Sequence, residues 1–127
     1  MTNMSQSVED YLKAIYGLAH EGEFVQTGAL AAVLEVSPAS VSGMVRRLAD
    51  IGLVERAAYR GVSLTDKGRR AALRVIRRHR ILETYLAQAL GWDWDVVHEE
   101  AERLEHAASD QLIERMAEVL DDPRYDP

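Results

Sequence analysis

No cysteine occurs anywhere in the chain, so disulfides and thiolate metal ligands are excluded, as befits a reducing compartment. No apolar run approaches bilayer-spanning length and residues 1–12 carry no signal-peptide core, so the expected location is cytoplasmic, with no membrane partner. Internal repeats and low-complexity segments are also missing. What is there is a chain of 127 residues, 47% of them hydrophobic, enough to bury a core in one domain or in two small ones sharing it. Basic residues are outnumbered overall, for a net charge of −6, but unevenly. Residues 1–80 hold 12 Lys/Arg against 8 Asp/Glu, whereas residues 81–127 hold 3 against 13. A basic front and an acidic rear predict two different ligands.

From Ser7, a plausible N-cap, the residues Val8, Tyr11, Leu12, Ile15, Tyr16 and Leu18 follow a helical period to a stop at Gly22. Asp10 lies beside that apolar stripe, an awkward place for a charge without a partner, unless it only complements the helix dipole. Thr27 is expected to cap a short helix with Leu30, Ala31 and Leu34. Ser37-Pro38, a hydroxyl cap followed by proline at the first helical position, starts another that runs to about Ile51 and stops at Gly52. Two helices about a tight turn, the second small and hydroxylic on its outer face, have the form of a helix-turn-helix. The expected DNA-facing set is Thr27, Ser37, Pro38, Ala39, Ser40, Ser42, Gly43, Arg46 and Arg47, small groups at base edges and arginines at phosphates. Short β-patterned runs at Leu53 to Arg56 and Gly61 to Leu64 add a wing, with Arg60 near its tip as a minor-groove or phosphate probe.

A long helix is expected over 66–90, basic in its first half, with Leu73, Ile76, Ile81, Leu82, Tyr85 and Leu86 inward. Some of its arginines should flank the DNA backbone. His79 and Glu83 stand one turn apart on it, a spacing that lets two side chains hold one ion or simply contact each other. Gly91 to Trp94 breaks the helix, and Asp93 caps the next, which carries HEEAERLEH. There His98, Glu102, Glu105 and His106 recur at helical spacing among Val97, Ala101 and Leu104, where a buried stripe should run. A divalent cation is the simplest occupant of such a face, and a solvated acidic face is the bland alternative. Ser109-Asp110 caps a last helix with Leu112, Ile113, Met116, Val119 and Leu120 on one side, which with Trp92 predicts a homodimer through the C-terminal helices. Asp121 to Pro127 reads as a tail. The fold expected is mainly α, a winged helix-turn-helix domain over 1–72 and a helical metal-binding and dimerisation domain over 73–127.

The segments EDYLKAIY, SPASVSGMVRRLADIGLVER, LTDKGR, RRHRILETYL and VHEEAERLEH, in this order and spacing, resemble the diphtheria toxin repressor family of metal-dependent transcriptional regulators across nearly all of the chain. The resemblance implies two metal positions. Asp10, Glu102, Glu105 and His106 match the one that switches DNA binding, and His79, Glu83 and His98 match an ancillary one. Iron-responsive members have Met and Cys where this chain has Asp10 and Glu102, whereas manganese-responsive members have Asp and Glu, so Mn(II) is the expected cofactor. An oxygen-rich site suits that harder ion. Fe(II) is the alternative, and Co, Zn and Cd should substitute in vitro. Lys13 stands where manganese-type members carry a further acidic residue, while Glu83 and His98 match the iron-type branch, so two mononuclear sites and one bridged pair both stay open. Longer relatives carry an SH3-like domain that this sequence lacks, which leaves room for a truncated form of a longer protein.

The function implied is a repressor binding a palindromic operator as a dimer to control metal homeostasis genes. Rival classes are a winged-helix regulator answering an organic ligand and a di-iron enzyme. The latter needs Glu-x-x-His on paired helices, which is not the pattern here, so no enzymatic activity is expected.

Overall fold

The computed structural model describes residues 5–19 and 23–120. Its elements are α1 (Gln6–Leu18), α2 (Thr27–Leu34), α3 (Pro38–Asp50), β1 (Val54–Ala57), β2 (Gly61–Leu64), α4 (Asp66–Gln88), α5 (Trp94–Glu105) and α6 (Asp110–Val119). The described residues are thus mainly helical, with one two-stranded antiparallel sheet among them. The chain divides into two compact units between Arg74 and Val75.

In the front unit, α1 starts two residues earlier than the apolar spacing suggests. Ser5, not Ser7, takes the extended cap conformation, and its hydroxyl accepts from the Val8 N–H at 3.2 Å. Val8, Tyr11, Leu12 and Ile15 are buried, whereas Tyr16 and Leu18 remain exposed. Gly22, the expected helix stop, and the tail from Asp121 lie outside the described residues. Thr27 is likewise not a cap: Gln26 holds that position without a side-chain bond, and Thr27 is the first helical residue. α2 ends where Glu35 turns left-handed at φ 56°. At α3 the cap is as expected, with Ser37 Oγ accepting from the Ser40 N–H at 3.1 Å and Pro38 next in the chain. The α2 and α3 axes meet at a bend of 111°, within the range of a helix-turn-helix.

The wing pairs Val54 with Leu64 through Ala57 with Gly61, one residue later on its first strand than the expected Leu53 to Arg56. Its second strand also bridges Val25, through Val25 N–H to Val62 O at 2.7 Å and Val62 N–H to Val25 O at 2.9 Å. Gly61 permits that approach, because a Cβ there would stand 2.0 Å from the Val25 carbonyl oxygen at φ +102°. Thr65 then ties α4 to the end of α3: its Oγ1 accepts from the Gly68 N–H and donates to the Gly52 carbonyl, while Lys67 Nζ donates to the Ile51 carbonyl.

Along α4, Ala71, Ala72 and Val75 face inward and Leu73 is 42% exposed, contrary to expectation. Positions 71, 72 and 75 define one face, and residue 73 lies roughly 100° further round it. The rear unit has its own core, built from Ile81, Leu82, Leu86, Val97, Ala101, Ile113 and Leu120. Ser109 caps α6, its hydroxyl accepting from the Leu112 N–H at 3.0 Å, whereas Asp93 occupies the α5 cap position without a side-chain bond. Of the expected inner side of α6, Leu112 and Val119 are exposed. Among the described residues no single helix is long and apolar enough to cross a membrane.

Candidate metal centre and nucleic-acid interface

The inward stripe of α5 is Val97, Ala101 and Glu105, at i, i+4 and i+8. His98 and Glu102 follow the first two by one position, so they flank the stripe instead of lying in it, at 67% and 43% side-chain exposure. Glu105 is the one carboxylate of the segment carried fully inside, at 1%. An isolated carboxylate there would be costly. The offset comes from α4, where His79 Nδ1 lies 3.1 Å from Glu105 Oε2, within hydrogen-bond distance. Nε2 of the same ring lies 3.1 Å from Glu83 Oε2 and 3.3 Å from His98 Nδ1. His98 Nδ1 in turn stands 2.8 Å from Glu83, and its Nε2 3.7 Å from Glu102. The two imidazoles meet edge to face with centroids 5.0 Å apart.

These side chains gather into two overlapping triads, His79 with Glu83 and His98, and His79 with Glu102 and Glu105, each with donor atoms within 4.8 Å of one another. Imidazole nitrogens and carboxylate oxygens without sulfur form a set that fits a first-row divalent ion, and the crowding of three carboxylates is what such a cation relieves. His79 stands in both triads. His106, the C-cap residue of α5, is half-buried and outside both, and Asp10 is a half-buried residue of α1 in the front unit.

One residue of this region has no signature in the sequence. Arg78, basic like its neighbours and expected to be solvated or near DNA, turns back into the rear unit. Its Nη2 donates to the carbonyls of Glu105 at 2.8 Å and Ala108 at 2.7 Å, and its Nη1 pairs with Asp110. The carbonyl of Glu105, the last residue of α5, and that of Ala108 in the turn beyond it are thereby satisfied, and the backbone of Glu105 is fixed from the residue next to His79. Arg77 is also engaged within the unit, by two bonds to Glu114 that hold that carboxyl below the usual range.

In the front unit, α3 buries Val41, Val45 and Leu48 and leaves Ala39, Ser40, Ser42, Gly43, Arg46 and Arg47 exposed on its other side. A Cβ built on Gly43 meets nothing within 4 Å, so this part of the face is open to close approach. Ser37 and Ser40 share a hydroxyl–hydroxyl bond of 3.0 Å, with Pro38 exposed between them. Thr27 is exposed in the first turn of α2. Arg60 at the wing lies with its guanidinium 4.4 Å above the centre of the Phe24 ring, a cation–π seat that spacing did not reveal.

Residues 3–62 match the family model of the iron-dependent repressor N-terminal DNA-binding domain, and residues 65–127 match that of the iron-dependent repressor metal-binding and dimerisation domain. The chain is 39% identical over 114 residues to a helix-turn-helix-type transcriptional regulator of Methanocaldococcus jannaschii, covering 89% of this chain and 91% of that one. It is also 37% identical to the iron-dependent repressor IdeR of Mycobacterium tuberculosis, across 100% of this chain and 55% of that protein. A solved manganese-dependent transcriptional repressor in complex with manganese is 46% identical with a TM-score of 0.78, over 91% of this chain and 53% of that one. ScaR with bound zinc superposes with a TM-score of 0.84 at 36% identity, over 94% and 56%. The chain thus spans about half the length of these named repressors.

Proposed function

Because the chain belongs to the diphtheria toxin repressor family of iron-dependent repressors, we propose that it is a metal-activated transcriptional repressor, with Mn(II) as its ion, acting as a homodimer on a palindromic operator that controls metal homeostasis genes. Residues 1–72 read the DNA and residues 73–127 bind metal and dimerise. The observation that carries this reading is the convergence of His79, Glu83, His98, Glu102 and Glu105 in the rear unit, around donor atoms close enough to share a cation.

In this reading Glu102, Glu105 and His106 of the rear unit belong to the activating position, and His79, Glu83 and His98 to the ancillary one. A divalent ion, when bound, supplies the positive charge that lets these carboxylates stand together. The chain's own residues do the positioning. Arg78 fixes the Glu105 backbone and His79 stands against the Glu105 carboxylate, while at the start of α4 Thr65 and Lys67 fasten that helix to the end of α3. In the front unit the exposed face of α3, with Thr27, Ser37, Pro38, Ala39, Ser40, Ser42, Gly43, Arg46 and Arg47, enters the major groove, and Arg60 reaches a phosphate. Support for dimerisation comes from Leu90, Trp92, Trp94, Val96, Leu112 and Val119, large apolar groups all exposed in the single chain. A twofold pair places two recognition helices about 34 Å apart, one turn of DNA.

Preference for manganese rests on the oxygen-rich donor set and on Asp10 and Glu102 in place of sulfur. A second reading, Fe(II) as the physiological ion, is favoured by Glu83 and His98 and by the iron-dependent repressors that match the whole chain. Titrating Mn(II) and, anaerobically, Fe(II) into metal-free protein while following thermal stability and binding to duplex DNA tests both. Any ion that binds only the folded chain should stabilise it by about 2.7 kcal/mol at 100 times its dissociation constant, so the ion that reaches this gain and tightens DNA binding at the lower concentration is the favoured one. Stability and DNA binding that ignore both metals would overturn the proposal.

A further inference from the structure

The wing tip carries a residue that the folding of this chain does not explain. The Ala57 carbonyl accepts from the Arg60 N–H at 3.1 Å, and of the two residues between them only Tyr59 has positive φ, at 66°. That is the type II turn pattern, whose third position normally falls to glycine or asparagine because a Cβ there is strained. Tyr59 fills it with a large aromatic side chain that is 101% exposed. The ring covers no protein surface and the backbone beneath it is strained, so neither burial nor local conformation favours tyrosine over glycine.

Its surroundings show what does. The turn end of the hairpin is pinned to Val25 by the bridge to Val62, with no room for a side chain at Gly61, so the tip is held from a fixed footing. Beside Tyr59 the Arg60 guanidinium is seated on Phe24, and Arg56 stands exposed on the first strand. An exposed ring next in the chain to Arg60 suits a surface made of apolar sugar faces alternating with phosphates. We propose that Tyr59 is a DNA-contact residue: its ring packs on a deoxyribose at the edge of the minor groove, next to the phosphate met by Arg60. This inference rests on the DNA-binding reading above and adds to it a residue that carries affinity.

The test uses a duplex selected from random sequence by the Mn(II)-loaded wild-type chain. Tyr59→Gly is expected to bind that duplex about tenfold more weakly. Its Tm, freed of the strained turn, should rise by about 2–5 °C. Tyr59→Phe, which keeps the ring and loses only the hydroxyl, should stay within about threefold of wild type. In hydroxyl-radical footprints, deoxyriboses protected at the flank of the site should become accessible with Tyr59→Gly and stay covered with Tyr59→Phe. Unchanged affinity and footprint for Tyr59→Gly would overturn the inference while leaving the DNA-binding reading intact. So would a lowered Tm, which would mean that the ring supports the hairpin. Wild-type protein that retains no duplex in the presence of Mn(II) overturns the reading and the inference together.

Discussion

Replacing Arg78 by methionine separates structural from solvated arginines on one helix. The Arg78 side chain is 13% exposed and donates to the carbonyls of Glu105 and Ala108, while its third partner, Asp110, is 57% exposed. Methionine keeps much of the aliphatic stem, so little packing is lost, but two carbonyls at the end of α5 lose their donor. Each such half-buried group costs about 1–1.5 kcal/mol, since water reaches it only in part, and the exposed Asp110 pair adds at most about 1 kcal/mol. The expected loss is therefore about 2–4 kcal/mol in urea denaturation. Arg77→Met is the control: its pair with Glu114 is exposed on both sides, at 46% and 58%, and should cost less than about 1 kcal/mol. Arg78→Lys can satisfy one carbonyl and should recover about half of the loss. Equal effects of Arg77→Met and Arg78→Met, both below about 0.5 kcal/mol, would refute the reasoning, because water would then replace the guanidinium without cost.

Glu105→Gln removes the fully buried carboxylate that stands against His79 while keeping a group that His79 can bond, so metal-free stability should hold or rise by about 1 kcal/mol. Its stabilisation by Mn(II), read as the Tm shift, should fall to less than half that of wild type. Gly61→Ala drives a Cβ against the Val25 carbonyl at φ +102° and should cost about 2–4 kcal/mol, with faster amide exchange at Val25 and Val62. Because Arg77 lowers the Glu114 carboxyl, that pair contributes stability above the ordinary carboxylate pKa and loses it as pH falls through the lowered value. Arg77→Met should flatten the acid limb of a stability-against-pH curve slightly, and an unchanged limb would show the pair to be inert.

Local chemistry in the sequence was enough to place α3: a serine cap, a proline behind it, apolar residues at 41, 45 and 48 and small groups between them all act within a few residues of each other. The same local rules failed where two candidates compete, as with Ser5 against Ser7 or Gln26 against Thr27, since a cap is decided by which residue takes the extended conformation. Periodicity located apolar residues but not what covers them, so Leu73, Leu112 and Val119 stand exposed in the single chain. Family resemblance grouped His79, Glu83 and His98, whose donor atoms lie close together, and it also grouped Asp10 and His106 with Glu102 and Glu105, whereas the triad around Glu102 and Glu105 holds His79. The sharing of His79 with Glu105, and the hold of Arg78 on a carbonyl 27 residues away, depend on how α4 and α5 pack, which no spacing encodes.

Binding of the selected duplex across a Mn(II) titration, with wild type and His79→Ala side by side and a chelator arm for each, is the most direct measurement of metal-controlled DNA binding. Wild type should bind about 5–150-fold more tightly when loaded than when stripped, the range typical of coupled sites, and His79→Ala, which removes the side chain common to both triads, should lose most of that gain. Chelated wild type that grips the duplex as firmly as the loaded protein would contradict it.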